Sequence, residues 1–129
     1  MGLTVLDSND PKTSPEPRLL ISLATYNEAG NLEPLVEEIR KFAPNCSFVV
    51  IEDNSPDGTG EIADRLAVTL PDFNVIHRAG KLGLGTAMLE AIGFAVKNQY
   101  DYLLNLDADF SHPPRFIPAL LEGMKDHDV

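Results

Sequence analysis

The chain has 129 residues, 43% of them hydrophobic and 23% charged, which is enough apolar content to build the core of one compact domain. Lys and Arg total 10 against 20 Asp and Glu, and the formal charge of −10 argues against a nucleic-acid partner, whose phosphates are bound by clustered cations. No apolar run approaches the ~20 residues needed to span a bilayer. The opening MGLTVLDSND has neither the basic nor the apolar region of a secretory signal. A single cysteine, Cys46, allows no internal disulfide and no cysteine-based zinc site. A soluble, acidic, cytosolic domain is expected, and length alone suggests a complete one.

Residues 1–17 read as a disordered tail, because Asp7, Ser8, Asn9, Asp10, Pro11, Pro15 and Pro17 crowd together with little apolar content. From Leu19 a regular alternation begins. Leu19–Leu23 is an apolar run of buried-strand type, followed by Asn31 as a helix N-cap and by Leu32, Leu35, Val36, Ile39 and Phe42 at helical spacing. Pro34 falls in the first turn, where its missing N–H costs little. Phe48–Ile51 predicts a second strand, and Thr59–Leu70 a second helix with Ile62, Leu66 and Leu70 on one face. Phe73–Ile76 predicts a third strand, and Leu84–Asn98 a third helix carrying Ala87, Ala91 and Ala95. Tyr102–Leu106 is a fourth strand, and Arg115–Lys125 a fourth helix behind Pro113-Pro114. The order βαβαβαβα, with continuous apolar strands, predicts an α/β fold with a mostly parallel, Rossmann-like sheet covered by helices on both faces. Such sheets bind ligands outside the carboxyl ends of their strands, so the chemistry is sought immediately after each strand.

After the first strand comes Ala24-Thr25-Tyr26-Asn27-Glu28. A tyrosine and a carboxylate there can stack on a flat ring and accept from its N–H groups. Taken alone, the run reads more simply as a turn with Asn27 as an Asx residue and Tyr26 as a lid on the core. After the second strand, Ser55-Pro56-Asp57-Gly58 specifies a β-turn, with Thr59 or Asp57 capping the next helix. Turn chemistry does not account for Glu52-Asp53, since adjacent carboxylates ending a buried strand are costly unless solvated, hydrogen-bonded or facing a polar ligand. After the third strand, the Gly-rich run 80–85 fits neither a dinucleotide fingerprint nor a Walker A loop. It reads either as a loop delivering Arg78 and Lys81 to an anionic ligand at the crevice or as a solvated basic loop. After the fourth strand stands Asp107-Ala108-Asp109, where two carboxylates spaced i, i+2 supply hard oxygen ligands suited to Mg²⁺ or Mn²⁺. His112 beside Pro-Pro reads as a turn residue, Cys46 as an inert thiol, and the sequon at Asn45 as a chance match.

Four runs stand in this order: Thr25-Tyr26-Asn27-Glu28, then Asp53-Asn54-Ser55-Pro56-Asp57-Gly58-Thr59, then residues 80–87 as Gly-Lys-Leu-Gly-Leu-Gly-Thr-Ala, then Asp107-Ala108-Asp109-Phe110-Ser111-His112-Pro113-Pro114. Together, from about Leu19 onward, they resemble the dolichol- or polyprenol-phosphate mannosyltransferases, which are family 2 glycosyltransferases of GT-A fold. The chain departs from that family in having Ala24 where proline is usual and Glu52 where aspartate is usual. The family's catalytic domain also continues for about another hundred residues, so the resemblance implies that residues 18–129 are its N-terminal, donor-binding part, truncated. By that resemblance Ala24, Tyr26, Glu28, Ile51, Asp53, Asp107, Ala108 and Asp109 form the donor-nucleotide site. Glu28 or Asp53 would accept from the base or ribose, and Ala24 and Ile51 would present backbone and apolar edge. Asp109, with Ser111 as a second candidate, would hold Mg²⁺ or Mn²⁺.

The implied reaction is an inverting transfer of mannose from GDP-mannose to a polyprenyl monophosphate, in a protein peripheral at the cytoplasmic face of a membrane. No general base is assigned, and the oligomeric state is open. The alternatives are a non-catalytic nucleotide-sugar-binding fragment or a family 2 transferase using another donor. A phosphoreceiver domain does not fit, because it needs paired acids after the first strand and an aspartate after the third. Here those places hold Tyr26-Asn27-Glu28 and His77-Arg78. Glu28, Glu52, Asp53, Asp107 and Asp109 are expected to gather at one crevice.

Overall fold

The computed structural model describes residues 2–5, 18–80, 84–109 and 113–125. In chain order its elements are β1 (Gly2–Val5), β2 (Leu19–Thr25), α1 (Leu32–Phe42), β3 (Ser47–Glu52), α2 (Thr59–Thr69), β4 (Phe73–His77), α3 (Leu84–Lys97) and β5 (Tyr102–Asp107). A 3-10 turn at Pro114–Phe116 then leads into α4 (Ile117–Lys125). The strands form one sheet in the order β1-β5-β2-β3-β4. β5, β2, β3 and β4 run parallel, and β1 lies antiparallel on β5.

All four strands expected from the apolar runs are present, each longer by one or more residues, because the ladder continues into the polar residues that begin the loops. The tail expected over residues 1–17 is corrected at its start. Gly2–Val5 pairs with β5, Gly2 opposite Asn105 and Val5 opposite Tyr102. Local composition could not reveal this strand, since its partner lies at the far end of the chain and four residues are too few to show a period. Without β1, the outer edge of β5 would present unpaired backbone groups. Residues 6–17 of the expected tail lie outside the described residues. The fourth helix also starts differently, as a 3-10 turn, with Pro114 and Pro118 both in opening positions that need no N–H partner.

The strand order explains which helix covers which face. The chain steps outward from β2 to β3 to β4, then crosses back to β5 on the other side of β2. Right-handed crossovers in opposite directions put α1 and α2 on one face and α3 on the other. Side chains of α1, α2 and α4 share a core with Ile21, Leu23, Phe48, Val50, Leu104 and Leu106. The alternate residues Leu20, Val49, Ile51 and Leu103 pack instead beneath α3. α1 is anchored by Leu32, Leu35, Val36 and Ile39, all essentially inaccessible, at ~1.5–3 kcal/mol for each large side chain buried. By contrast α3 meets the sheet through Ala87, Ala91 and Ala95, which bury little area but let the helix axis come close. The reversal of direction lies between β2 and β5. Their carboxyl ends therefore flank the crevice in which a doubly wound sheet binds its ligand.

Candidate functional site

Register brings the predicted residues together before any side chain is considered. Ala24 on β2 stands opposite Ile51 on β3 and Asp107 on β5, so three of them form one row across the sheet. Asp53 continues β3, its N–H donating to the Thr25 carbonyl at 3.1 Å. Just beyond the strands, Asn27 (φ 59°) and Asn54 (φ 53°) adopt left-handed backbone, a conformation asparagine tolerates, and turn the chain out of the sheet.

The adjacent carboxylates Glu52 and Asp53 separate onto opposite faces, as strand alternation requires. Glu52 is 1% exposed and does not join the crevice acids. Its carboxylate accepts from the Thr25 hydroxyl at 3.2 Å, the Ser55 N–H at 3.0 Å and the Ser55 hydroxyl. Glu52 is thus a bracket between the ends of β2 and β3, and its expected place in the crevice is corrected. Asp53 faces α3 and is gripped by Arg78, whose Nε donates to Oδ1 at 2.6 Å and Nη2 to Oδ2 at 2.8 Å. Nη1 of the same guanidinium donates to the Thr86 hydroxyl in the first turn of α3 at 2.9 Å. Both partners are buried, at 5% and 8% side-chain exposure. The hydrogen bonds with Asp53 raise the Arg78 pKa above its ordinary value. Arg78 therefore orients Asp53 and ties α3 to β3, in place of the expected reach toward a ligand phosphate. The other basic candidate, Lys81, lies outside the described residues.

Tyr26 is exposed and Glu28 half-buried on the loop after β2. Glu28 accepts from Asn31 Nδ2 at 2.9 Å, and its carbonyl accepts the N–H of Asn31 and of Leu32 at 3.0 Å each. Asn31 holds the N-cap position, as expected, but its side chain is turned to Glu28 and does not cap the helix. The loop is fixed from outside by the following turn. Asn27 N–H donates to Ser55 Oγ at 3.0 Å, Glu28 N–H to Thr59 Oγ1 at 3.0 Å and Ala29 N–H to Asp57 Oδ2 at 3.1 Å. Asp57 Oδ1 in turn accepts the N–H and the hydroxyl of Thr59, and that hydroxyl bond holds the Asp57 carboxyl below its ordinary value.

Asp107 closes β5 and Asp109 follows it in the turn, both exposed. Beside Asp107 a cavity of about 180 Å³ opens beneath the first turns of α3, lined by Ala24, Gly85, Ala87, Met88, Asn105, Leu106 and Asp107. Asn105, Gly85 and Met88 were not legible as lining residues. The available signal was a polar residue inside an apolar strand, since Asn105 stands opposite Ser22 and its Oδ1 accepts the Ser22 hydroxyl at 2.6 Å. A groove of about 440 Å³ along the outer flank of α3 is larger, but it is lined by none of the strand-end residues Ala24, Asp53 and Asp107. Two expected site residues do not present side chains to the crevice: Ile51 (1% exposed) lies in the core beneath α3 and Ala108 (3%) in the core on the opposite face. Ser111 lies outside the described residues. No group of three His, Cys, Asp or Glu able to hold a metal exists among the described residues. Asp107 and Asp109 fit a hard dication only where a ligand's own oxygens complete the set.

Residues 21–129 match the sequence profile of Glycosyl transferase family 2. Polyprenol monophosphomannose synthase of Mycolicibacterium smegmatis is 40% identical over 89% of this chain and 44% of its own length. Undecaprenyl-phosphate mannosyltransferase of Micrococcus luteus is 38% identical over 87% of this chain and 46% of its own. The chain thus spans less than half the length of these relatives. Among solved structures, the mannosyltransferase PcManGT of Pyrobaculum calidifontis, in complex with GDP-Man and Mn²⁺, superposes with a TM-score of 0.62 at 25% identity, over 83% of this chain and 32% of that one. S. aureus TarS 1-349 shares the fold at a TM-score of 0.66 and 19% identity, over 85% of this chain and 33% of its own. With a parallel α/β sheet, a strand-end crevice and a profile match over most of its length, the chain belongs to glycosyl transferase family 2.

Proposed function

We propose that these residues bind the sugar donor of an inverting glycosyltransferase that moves mannose from GDP-mannose to a polyprenyl monophosphate. The observation that carries the reading is the adjacency of Ala24, Asp53 and Asp107 at the carboxyl ends of neighbouring strands, with Tyr26 and Glu28 on the adjoining loop. Relatives named for polyprenol and undecaprenyl phosphate supply the acceptor class, and the neighbour holding GDP-Man and Mn²⁺ supplies the donor.

In this reading Tyr26 stacks on the base, and Glu28 and Asp53 accept from its N–H groups or from the ribose. Arg78 presents Asp53 in one orientation, so that recognition costs little ordering. Asp107 lies toward the ribose and diphosphate. Asp109, with Ser111, would hold Mg²⁺ or Mn²⁺, which when bound stabilises the negative charge developing on the departing diphosphate. A phosphate oxygen of the acceptor attacks the anomeric carbon as its bond to the donor's β-phosphate oxygen breaks, inverting that carbon and releasing GDP. A phosphate monoester with a second pKa of ~6 is already largely ionised at neutral pH, so no side chain need act as a strong base. The lipid chain of the acceptor sets the reaction at a membrane surface, on the cytoplasmic side. No helix among the described residues is long and apolar enough to cross a membrane.

Calorimetry with GDP and GDP-mannose, with and without Mn²⁺, tests the assignment. Binding is expected to strengthen with the metal and to lose that metal dependence in Asp109→Ala. Affinity indifferent to both metal and substitution would overturn it.

A further inference from the structure

We infer that Ser55, Asp57 and Thr59 are positioning residues for the nucleotide, acting through the loop that carries Tyr26 and Glu28. This rests on the donor-site reading above and adds to it a device that sets the site's shape before any ligand arrives.

The loop between β2 and α1 has three consecutive N–H groups, on Asn27, Glu28 and Ala29, that belong to neither the strand nor the helix. Backbone donors of this kind need partners, and in a polar surface loop water ordinarily supplies them. Here each is accepted by a different side chain of one five-residue turn: Ser55 Oγ, Thr59 Oγ1 and Asp57 Oδ2, all within 3.1 Å. The acceptors are themselves oriented. The Thr59 hydroxyl gives its proton to Asp57 Oδ1, which leaves its lone pairs for Glu28, and the Ser55 hydroxyl gives its proton to the buried Glu52. Thr59 is fully buried at the start of α2, so the clasp is anchored to a rigid element. Gly58, at φ 94°, supplies the left-handed residue that lets Asp57 and Thr59 face the same way, a conformation other residues adopt only with strain.

The turn therefore does two jobs. It takes up the first N–H of α2, that of Thr59, on Asp57 Oδ1, Gly58 holding the N-cap position, and it fixes the backbone of residues 27–29 in the left-handed bend begun at Asn27. Tyr26 precedes that bend and Glu28 lies within it, so its geometry sets where the stacking ring and the accepting carboxylate stand. Release of one clasp bond would leave the loop mobile and charge its ordering to the ligand.

The test compares Thr59→Val, Thr59→Ser and Asp57→Asn with the wild type by GDP calorimetry in the presence of Mn²⁺, and by amide hydrogen exchange at residues 27–29 without nucleotide. Thr59→Val keeps the side chain's shape but removes the acceptor, and is expected to weaken GDP binding about tenfold and to speed exchange at Glu28. Thr59→Ser restores both. Asp57→Asn, on the surface and tolerant of folding, is expected to speed exchange at Ala29 and weaken GDP severalfold. Combined with Tyr26→Ala, Thr59→Val should add less than its single effect, because both act through one loop. Wild-type binding with unchanged affinity in folded Thr59→Val and Asp57→Asn would overturn this inference alone. Absence of GDP binding by the wild type would overturn the donor-site reading and the inference with it.

Discussion

At the scale of single residues, the Arg78–Asp53 pair has the largest stake. Two hydrogen bonds join groups almost wholly removed from water, so removal of one partner leaves the other's charge buried and uncompensated. Arg78→Ala is expected to cost about 3 kcal/mol or more in unfolding free energy. Arg78→Lys should recover only part of that, because an ammonium cannot reproduce the two-pronged contact with Asp53 and the third bond to Thr86. Urea denaturation of the three proteins measures both. Asp57 makes a pH prediction. Its carboxyl is held below 3.8 in the folded chain, so the folded state takes up its proton less readily than the unfolded one. Its stabilising contribution is therefore present above that ordinary value and is lost as pH falls through the lower, folded one. Asp57→Asn should lose less melting temperature than the wild type between about pH 5 and about pH 3. Cys46 shows the opposite displacement, burial pushing its thiol up to about 12. Thiol-specific reagents at neutral pH should label it only after denaturation, as the reading of an inert thiol requires.

At the scale of elements, α3 and β1 depend most on partners distant in sequence. α3 rests on the sheet through three alanines, leaving Leu89 and Val96 exposed at 69% and 61%. Ala91→Leu should push the helix off the sheet and cost ~1–3 kcal/mol, whereas Leu89→Gln on the outer face should be nearly neutral. Thermal melts of the two variants separate the faces. A shift of α3 also displaces Thr86 and the cavity wall formed by Ala87 and Met88, so Ala91→Leu is expected to weaken nucleotide binding as well. The alanine spacing was legible in the sequence because a 3.6-residue period survives in any helix that buries one face. β1 was not legible, since the strand it pairs with, β5, lies at the far end of the chain. The 3-10 opening of the last helix has no signature in the sequence, because prolines mark where a helix starts but not the pitch of its first turn.

At the scale of the whole molecule, the fold positions a site that no element contains. Ligand linkage offers the global test. If GDP with Mn²⁺ binds only the folded chain, saturation at about a hundred times its dissociation constant raises stability by ~2.7 kcal/mol. Removal of the metal by chelation should then lower the melting temperature of the GDP-bound protein, and the chelator should leave Asp109→Ala unaffected.

The run of apolar and amphipathic segments from Leu19 determined the parallel sheet, and the residue types after its strands determined where chemistry was to be sought. Strand alternation and helical period are local properties that tertiary packing respects here. The tertiary structure alone decided how the candidates divide. Glu52 and Asp53 are neighbours in sequence, yet one became a buried bracket and the other a gripped acceptor, because successive residues of a strand face opposite sides of the sheet. Arg78, separated from Asp53 by a helix and a strand, was drawn from the expected ligand contact to that carboxylate by the burial they share. The Ser-Pro-Asp-Gly-Thr run read as a self-contained turn. Only the approach of the loop after β2 made its hydroxyls and carboxylate into acceptors for another segment's backbone, since a hydrogen bond between distant segments has no local signature.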